Sequence, residues 1–282
     1  RWLKNLETMN SSYSPMSKEN VERYLNFLSA KRQEPSIQAL SKLIEAHLFN
    51  IPFENISKLY YKDVRILPNQ GEFLEGIESF HFGGTCYTNN YYFSKLLNNL
   101  GYNIKLCGAD MSNPDVHIVS MVTLGKREYL VDVGYAAPFW MPIPVDLDTD
   151  YTIHFGQDQY VLKPRDAARS SKMELYRDGK LKHEYLAKSV PRQIQEFEHV
   201  IIDSFREEGT FMNALLLAKF SPKQSFIIHN LTATKYQDDE SNTRKLESKN
   251  ELVQVVYEWF KIPKECTINA LNQLDLTQDA WN

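Results

Sequence analysis

Gly83-Gly84-Thr85-Cys86 runs into Tyr87-Thr88-Asn89-Asn90 and then into the apolar positions Phe93, Leu96, Leu97 and Leu100. That spacing predicts a helix that starts at the cysteine and stops at Gly101. Two later stretches complete the pattern: Pro114-Asp115-Val116-His117-Ile118-Val119 and Tyr129-Leu130-Val131-Asp132-Val133-Gly134. Both read as strands, with Gly125-Lys126 between them as a two-residue hairpin loop whose leading Gly suits a type II′ turn. Such a loop pairs Leu124 with Arg127, Val119 with Asp132 and His117 with Gly134. Asp132 then shares a sheet face with His117 and lies diagonal to it, about 7–8 Å away at the backbone. A three-residue loop would slip the register and turn Asp132 to the opposite face.

Working outward, the chain before Cys86 reads as helical. Val21, Tyr24, Leu25 and Leu28 recur at helical spacing behind a candidate cap, Ser17. Ile37, Leu40, Leu43, Ile44, His47 and Leu48 form a second stripe that ends before Pro52. From about residue 102 to 190 the pattern changes to short runs rich in Val, Ile, Tyr and Thr. Ile118 to Leu124, Glu128 to Val133, Tyr160 to Leu162, Met173 to Tyr176 and Leu181 to Tyr185 are strand candidates, and Asp178-Gly179 marks another hairpin. An antiparallel sheet or small barrel is expected there. The last ninety or so residues combine an apolar strand (Ser225 to His229), a charged loop (Gln237 to Lys249) and a helix carrying Leu252, Val255, Val256, Trp259 and Phe260.

Composition narrows the class. With 43% hydrophobic and 24% charged residues in 282, a folded chain with a substantial core is expected. The net charge of −4 and pI near 6.0 offer no basic excess for nucleic acid or an anionic membrane. No stretch has the length of a membrane span. Arg1-Trp2-Leu3-Lys4 shows neither a Met nor a signal-peptide run, so a cytoplasmic location is expected. Asn10-Ser11-Ser12, Asn55-Ile56-Ser57 and Asn230-Leu231-Thr232 then read as chance matches to glycosylation acceptors. The cysteines are Cys86, Cys107 and Cys266, with no Cys-x-x-Cys, which excludes the usual zinc and dithiol patterns. The histidines show no ligand spacing, so no metal is expected. Cys107 and Cys266 read as small buried hydrophobes.

Cys86 reads differently. A free thiol titrates at about 8.5, and the thiolate is the nucleophile. At a helix start the unpaired N–H groups and the dipole favour an anion, and a histidine partner adds to this. Each residue alone has a plainer reading: a structural helix-start Cys, a strand His satisfied by packing, an Asp capping a turn. Together Cys86, His117 and Asp132 form the inventory of nucleophile, base and orienting carboxylate.

At these residues the chain resembles the arylamine N-acetyltransferase family. His47 followed by Ile51-Pro52-Phe53-Glu54-Asn55 is similar to that family's H-x-x-x-I/V-P-F-E-N segment. Gly83-Gly84-Thr85-Cys86 with Asn90 resembles its R-G-G-x-C-x-x-x-N segment, and Tyr129 to Gly134 its Y-L-V-D-V-G strand. The resemblance implies an α+β fold of three parts with a cysteine-protease-like Cys-His-Asp arrangement. These are a helical bundle (1–101) carrying Cys86, a central antiparallel β-barrel (102–190) carrying His117 and Asp132, and a C-terminal α/β lid (191–282). It implies ping-pong transfer from acetyl-CoA, through acetyl-Cys86, to an arylamine, hydrazine or N-hydroxyarylamine. Phe53 and Tyr135 fall on acceptor-pocket positions, Gly134 on a cofactor-contact position, and Lys219, Lys223 and Lys235 are candidates for coenzyme A phosphates.

The departures matter too. Phe82 stands where the family has Arg, Thr88 where it has Glu or Gln, and Ala136 where it has the second Gly of G-F-G. Ala136 adds a methyl where positive φ or close backbone approach is expected. These positions keep two alternatives open: an amide synthase with another acyl donor or acceptor, and a ligand-binding member with impaired catalysis. A cysteine peptidase or transglutaminase-like enzyme shares the three residue types but not the Phe53 and Asp132 segments.

Overall fold

The computed structural model describes residues 15–238 and 240–276. The Arg1–Lys4 start and the Asn10-Ser11-Ser12 match lie outside the described residues. The N-terminal segment is helical: α1 Lys18–Phe27, α2 Ile37–Asn50, α3 Ile56–Tyr60, α4 Gln70–Phe80 and α5 Cys86–Asn99, with a short strand β1 Phe53–Glu54 between α2 and α3. Ser17 and Ser36 accept hydrogen bonds from the first turns of α1 and α2, caps worth about 1 kcal/mol each. The apolar stripes of α1, α2 and α5 meet in one core. α4 carries no stripe long enough to announce it, but Asn69 and Glu72 form a reciprocal capping box at its start, and Asn-x-x-Glu is the signal that would have found it.

The second half of the fold is β-rich. β2 Asn103–Asp110, β3 His117–Leu124, β4 Arg127–Val131, β5 Ile143–Pro144, β6 Tyr151–Phe155, β7 Asp158–Leu162, β8 Ser171–Arg177 and β9 Lys180–Pro191 make an antiparallel sheet in the order β5-β4-β3-β2-β9-β8-β7-β6. The expected antiparallel sheet or small barrel is a curled half-barrel. Its edges are β6 and β5, and Pro144 at the end of the two-residue β5 has no N–H with which to extend the ladder. The hairpin loop is the two-residue one: Leu124 pairs with Arg127 and Ser120 with Val131. Both faces of β3 are covered. Ile118 and Val122 pack on the helices, while Val119 and Met121 pack inside the curl with Leu130, Tyr135 and Tyr185.

A second sheet follows the order β1-β10-β11-β12-β13, with β10 Leu216–Lys219, β11 Gln224–His229, β12 Thr232–Gln237 and β13 Glu240–Lys245. Here the sequence reading needs correction, because Gln237 to Lys249 is not a loop throughout. β13 is exposed along its whole length and shows no alternation. It is a strand because its backbone pairs with β12 from Gln237↔Glu240 to Thr232↔Lys245. β1 pairs with β10 through Phe53↔Ala218 and Glu54↔Leu217, tying the segment before the Gly83–Cys86 turn to the C-terminal third. Between the sheets lie a 3₁₀ turn, Ile194–Phe197, α6 Glu198–Asp203 and α7 Thr210–Asn213. α8 Lys249–Phe260 and α9 Lys264–Leu271 close the chain.

Two of the apparent glycosylation acceptors are structural. Asn55 is buried, donates to the carbonyls of Phe211 and Ala214, and accepts from the Leu216 N–H. Asn230 is buried and accepts from the Leu215 N–H. Cys107 and Cys266 are buried and unbridged; burial pushes the Cys107 thiol up to about 11.

His47 joins the helices to the Gly83–Cys86 turn. It is fully buried, with Nε2 3.1 Å from Asn89 Oδ1 and Nδ1 2.9 Å from the Tyr24 hydroxyl. Asn89 Nδ2 donates to the Gly84 carbonyl, which fixes its amide so that Oδ1 accepts from a neutral imidazole Nε2–H. Burial lowers His47 to about 3, against a smaller opposing effect of Asn89. Because its folded value lies below the unfolded one, the unfolded chain takes up an extra proton as pH falls below about 6.5. Stability is then lost at up to about 1.4 kcal/mol per pH unit between about 6.5 and 3. Urea unfolding at stepped pH should show the wild type losing more stability on acidification than His47→Gln, and equal slopes would refute this account.

Candidate active site

The site assembles where the N-terminus of α5 meets the open ends of β3 and β4. Glu54 builds the turn that leads to it. The Glu54 side chain is fully buried, and its carboxylate accepts from the N–H groups of Gly83 (3.0 Å), Gly84 (2.8 Å) and Ser57 (2.8 Å), and from the Ser57 hydroxyl (2.5 Å). Burial raises its pKa against the lowering effect of these bonds. At Gly83 a Cβ would fall 1.8 Å from the Pro52 carbonyl oxygen, so no larger residue fits. Phe82 does not take part in a charged network: it is buried and packs against Phe80, Tyr60 and Tyr61. Thr88 lies with its side chain against Gly84.

Cys86 is the first residue of α5 and 9% exposed. Thr85 makes no side-chain cap, so the first-turn N–H groups are left to act on an anion. The sulfur lies 3.8 Å from the Val116 carbonyl, at the residue before His117. Asp115 pins that approach: Lys188 and Arg192 pair with its carboxylate at 3.0 and 3.3 Å, and its carbonyl accepts from the Tyr87 hydroxyl.

His117 and Asp132 are buried, with Nε2 and Oδ2 2.8 Å apart. Nδ1 is thereby the ring nitrogen left for the sulfur. Burial presses the imidazole toward neutrality, but the charge and hydrogen bond of Asp132, joined by the hydrogen bond and charge of Cys86, outweigh it and raise His117 well above the ordinary range. The other carboxylate oxygen of Asp132 accepts from Asn90 Nδ2 (2.8 Å) and the Gly134 N–H (3.0 Å). Asn90 also donates to the Ile118 carbonyl and accepts from the Val133 N–H. One side chain of α5 therefore ties the helix to both strands.

The remaining expected site residues separate. Gly134 sits against Cys86 itself, where a Cβ would fall 2.7 Å from the Cys86 Cα. Tyr135 is buried in the curl, with its ring against His117 (5.7 Å) and its hydroxyl 2.7 Å from His183 Nδ1. Phe53 is also buried; it packs on Phe211 at 5.3 Å beside Ala214, Leu216 and Ala136. Lys219 lies among the rings of Phe49, Phe226 and Phe260, and burial lowers it to about 8. Glu54, Asn89 and His183 carry site geometry that the sequence reading gave no role. The first two lie within the motif segments, but His183 has no local signal.

The profile of the N-acetyltransferase family matches residues 36–267. This chain belongs to the arylamine N-acetyltransferase family. It is similar to the pineal gland arylamine N-acetyltransferase NAT-3 of Gallus gallus, 27% identical over 123 residues, or 41% of this chain and 42% of that protein. It is also similar to the proansamycin X synthase of Amycolatopsis mediterranei, 30% identical over 149 residues, or 48% of this chain and 57% of that one. These matches thus span about half the length of the curated relatives. In fold it resembles the Mycobacterium marinum arylamine N-acetyltransferase solved in complex with CoA, with a TM-score of 0.76 and 18% identity over 90% of this chain and 100% of that one.

Two substitutions test the local geometry. Glu54→Ala strands the buried N–H groups of Gly83 and Gly84 and the partly buried one of Ser57, and should cost about 3 kcal/mol, read by urea unfolding. Ala136 holds φ at +58°, a left-handed conformation that costs a non-glycine residue about 1–2 kcal/mol. Ala136→Gly should therefore raise stability by about 1 kcal/mol, and a lower melting temperature would contradict it.

Proposed function

We propose that this protein is an acetyl-CoA-dependent N-acetyltransferase that carries the acetyl group on Cys86. The observation that supports this best is the buried 2.8 Å His117–Asp132 pair set beside a cysteine at a helix N-terminus. In this reading the Cys86 sulfur attacks the thioester carbonyl, the bond from carbon to coenzyme A sulfur breaks, and the departing thiolate takes a proton from His117. An amine then attacks acetyl-Cys86, the bond from carbon to the Cys86 sulfur breaks, and His117 accepts the amine's proton, which restores the imidazolium beside the freed thiolate. Asp132 holds the imidazole through Nε2 and steadies its cation.

Arylamines, hydrazines or N-hydroxyarylamines are the proposed acceptors, with Phe53 and Tyr135 as the proposed aromatic contacts. The proposal keeps the division into a Cys86-bearing helical part (1–101), a sheet part with His117 and Asp132 (102–190) and a C-terminal part (191–282), acting in the cytoplasm. A second reading retains the cysteine relay and changes the acyl donor or acceptor. It is supported by the resemblance to an enzyme named proansamycin X synthase and by Phe82 and Thr88 in place of the family's polar residues.

Acetyl-CoA alone should add one acetyl group to the intact protein, and Cys86→Ala should abolish the adduct. Asp132→Asn should slow transfer to an aromatic amine by about 10³–10⁴-fold. A wild-type protein left unmodified by acetyl-CoA, with Cys86 reduced, would rule the acetyl relay out.

A further inference from the structure

The N-terminus of α5 borders a second space besides the face that holds His117. A pocket partly open to solvent is lined by Lys58, Thr85, Thr88 and Ser204, with Phe205 and Glu72 also on its wall. Lys58 is 9% exposed; its Nζ donates to the Ser204 hydroxyl at 2.6 Å and stands 3.7 Å over the Phe205 ring. Among the described residues no carboxylate pairs with it. Glu72, the one acidic residue on the wall, spends Oε2 on the Asn69 N–H and closes the α4 capping box. An ammonium withdrawn from water without a counter-charge is costly, yet burial only lowers Lys58 to about 8, with the Cys86 charge acting in the opposite sense. It therefore stays mostly charged at neutral pH.

A second positive pole faces the same space. Gly84, Thr85, Tyr87 and Thr88 bring the uncapped start of α5 onto the cavity wall, and a helix N-terminus favours a negative group. A buried cation, a helix start and the Thr85 and Thr88 hydroxyls, around a space whose acidic residue Glu72 is engaged in the α4 capping box, define the chemistry of the missing partner. We propose that this cavity is a carboxylate-binding site, with Lys58 as its cation and the first turn of α5 as its second anchor.

Two sources could supply the carboxylate. One is the far end of a dicarboxylic acyl group carried by Cys86, a case that rests on the acyl-transfer reading. There the sulfur bonds to the thioester carbonyl carbon, the bond to coenzyme A sulfur breaks, and coenzyme A leaves as the thiol with the His117 proton. The other is a small free dicarboxylate bound beside the nucleophile.

Wild type, Lys58→Met and the charge-keeping Lys58→Arg separate these. Intact-mass kinetics would follow Cys86 acylation by acetyl-CoA and malonyl-CoA, and thermal melts would be run with and without malonate. If the acyl group supplies the carboxylate, Lys58→Met slows malonyl-CoA relative to acetyl-CoA by about tenfold or more, and Lys58→Arg retains most of the rate. If a free dicarboxylate does, malonate raises the wild-type melting temperature saturably and leaves Lys58→Met unmoved. The proposal is overturned if the two donors change in parallel and malonate shifts neither protein. Should Lys58→Met fail to fold, a wild type that is inert to malonyl-CoA and unshifted by malonate overturns it equally. Failure of both thioesters to acylate Cys86 would remove the transferase reading while the malonate melts still decide the site.

Discussion

The amide of Asn90 is the contact on which the site depends. It projects from α5 one turn beyond Cys86, donates to Asp132 and Ile118, and accepts from Val133. A helix and a sheet packed by apolar contact alone can slide by a fraction of an ångström at little cost, because dispersion is non-directional. Directed hydrogen bonds in a buried setting cannot be shifted so cheaply. The close approach at Gly134, with no side chain to hold the Cys86 backbone away, lets the clamp close.

The same logic runs behind the turn that leads to Cys86. Glu54 gathers N–H groups of Gly83, Gly84 and Ser57, and Asn89 holds the Gly84 carbonyl while His47 holds Asn89 and Tyr24 holds His47. Two glycines in sequence would otherwise bring conformational freedom to the residues before Cys86. Here their backbone groups are spent on buried partners. Phe82 shows another way to support such a turn, with packed rings in place of a cation. The thiol is thus fixed from below by polar groups that are themselves nearly all satisfied, and from the side by the clamp at Asn90.

Much of this was legible before any coordinates. The apolar stripes of α1, α2 and α5 were visible because a helix buries one face at a fixed period, and the Gly125-Lys126 loop set the β3–β4 register because two-residue turns admit few geometries. From that register the His117–Asp132 pairing followed. β13 was illegible because nothing in Glu240–Lys245 is buried, and a strand held by backbone pairing alone leaves no hydrophobic alternation. The half-barrel could not be told from a barrel because strand count and patterning are alike in both, and only the placement of β5 and β6 at the edges distinguishes them.

Residue order by itself determined which groups this protein has for chemistry: a cysteine at a helix start, and a histidine and an aspartate in register across a hairpin. Those are local facts, set by periodicity and turn length. Only the tertiary structure decided that the helix start meets the hairpin end, that Glu54 and Asn90 hold that meeting in place, and that Lys58 is buried beside it against Ser204 and the Phe205 ring. Such facts join residues far apart in the chain, and they arise from burial and directed hydrogen bonding that no stretch of sequence contains.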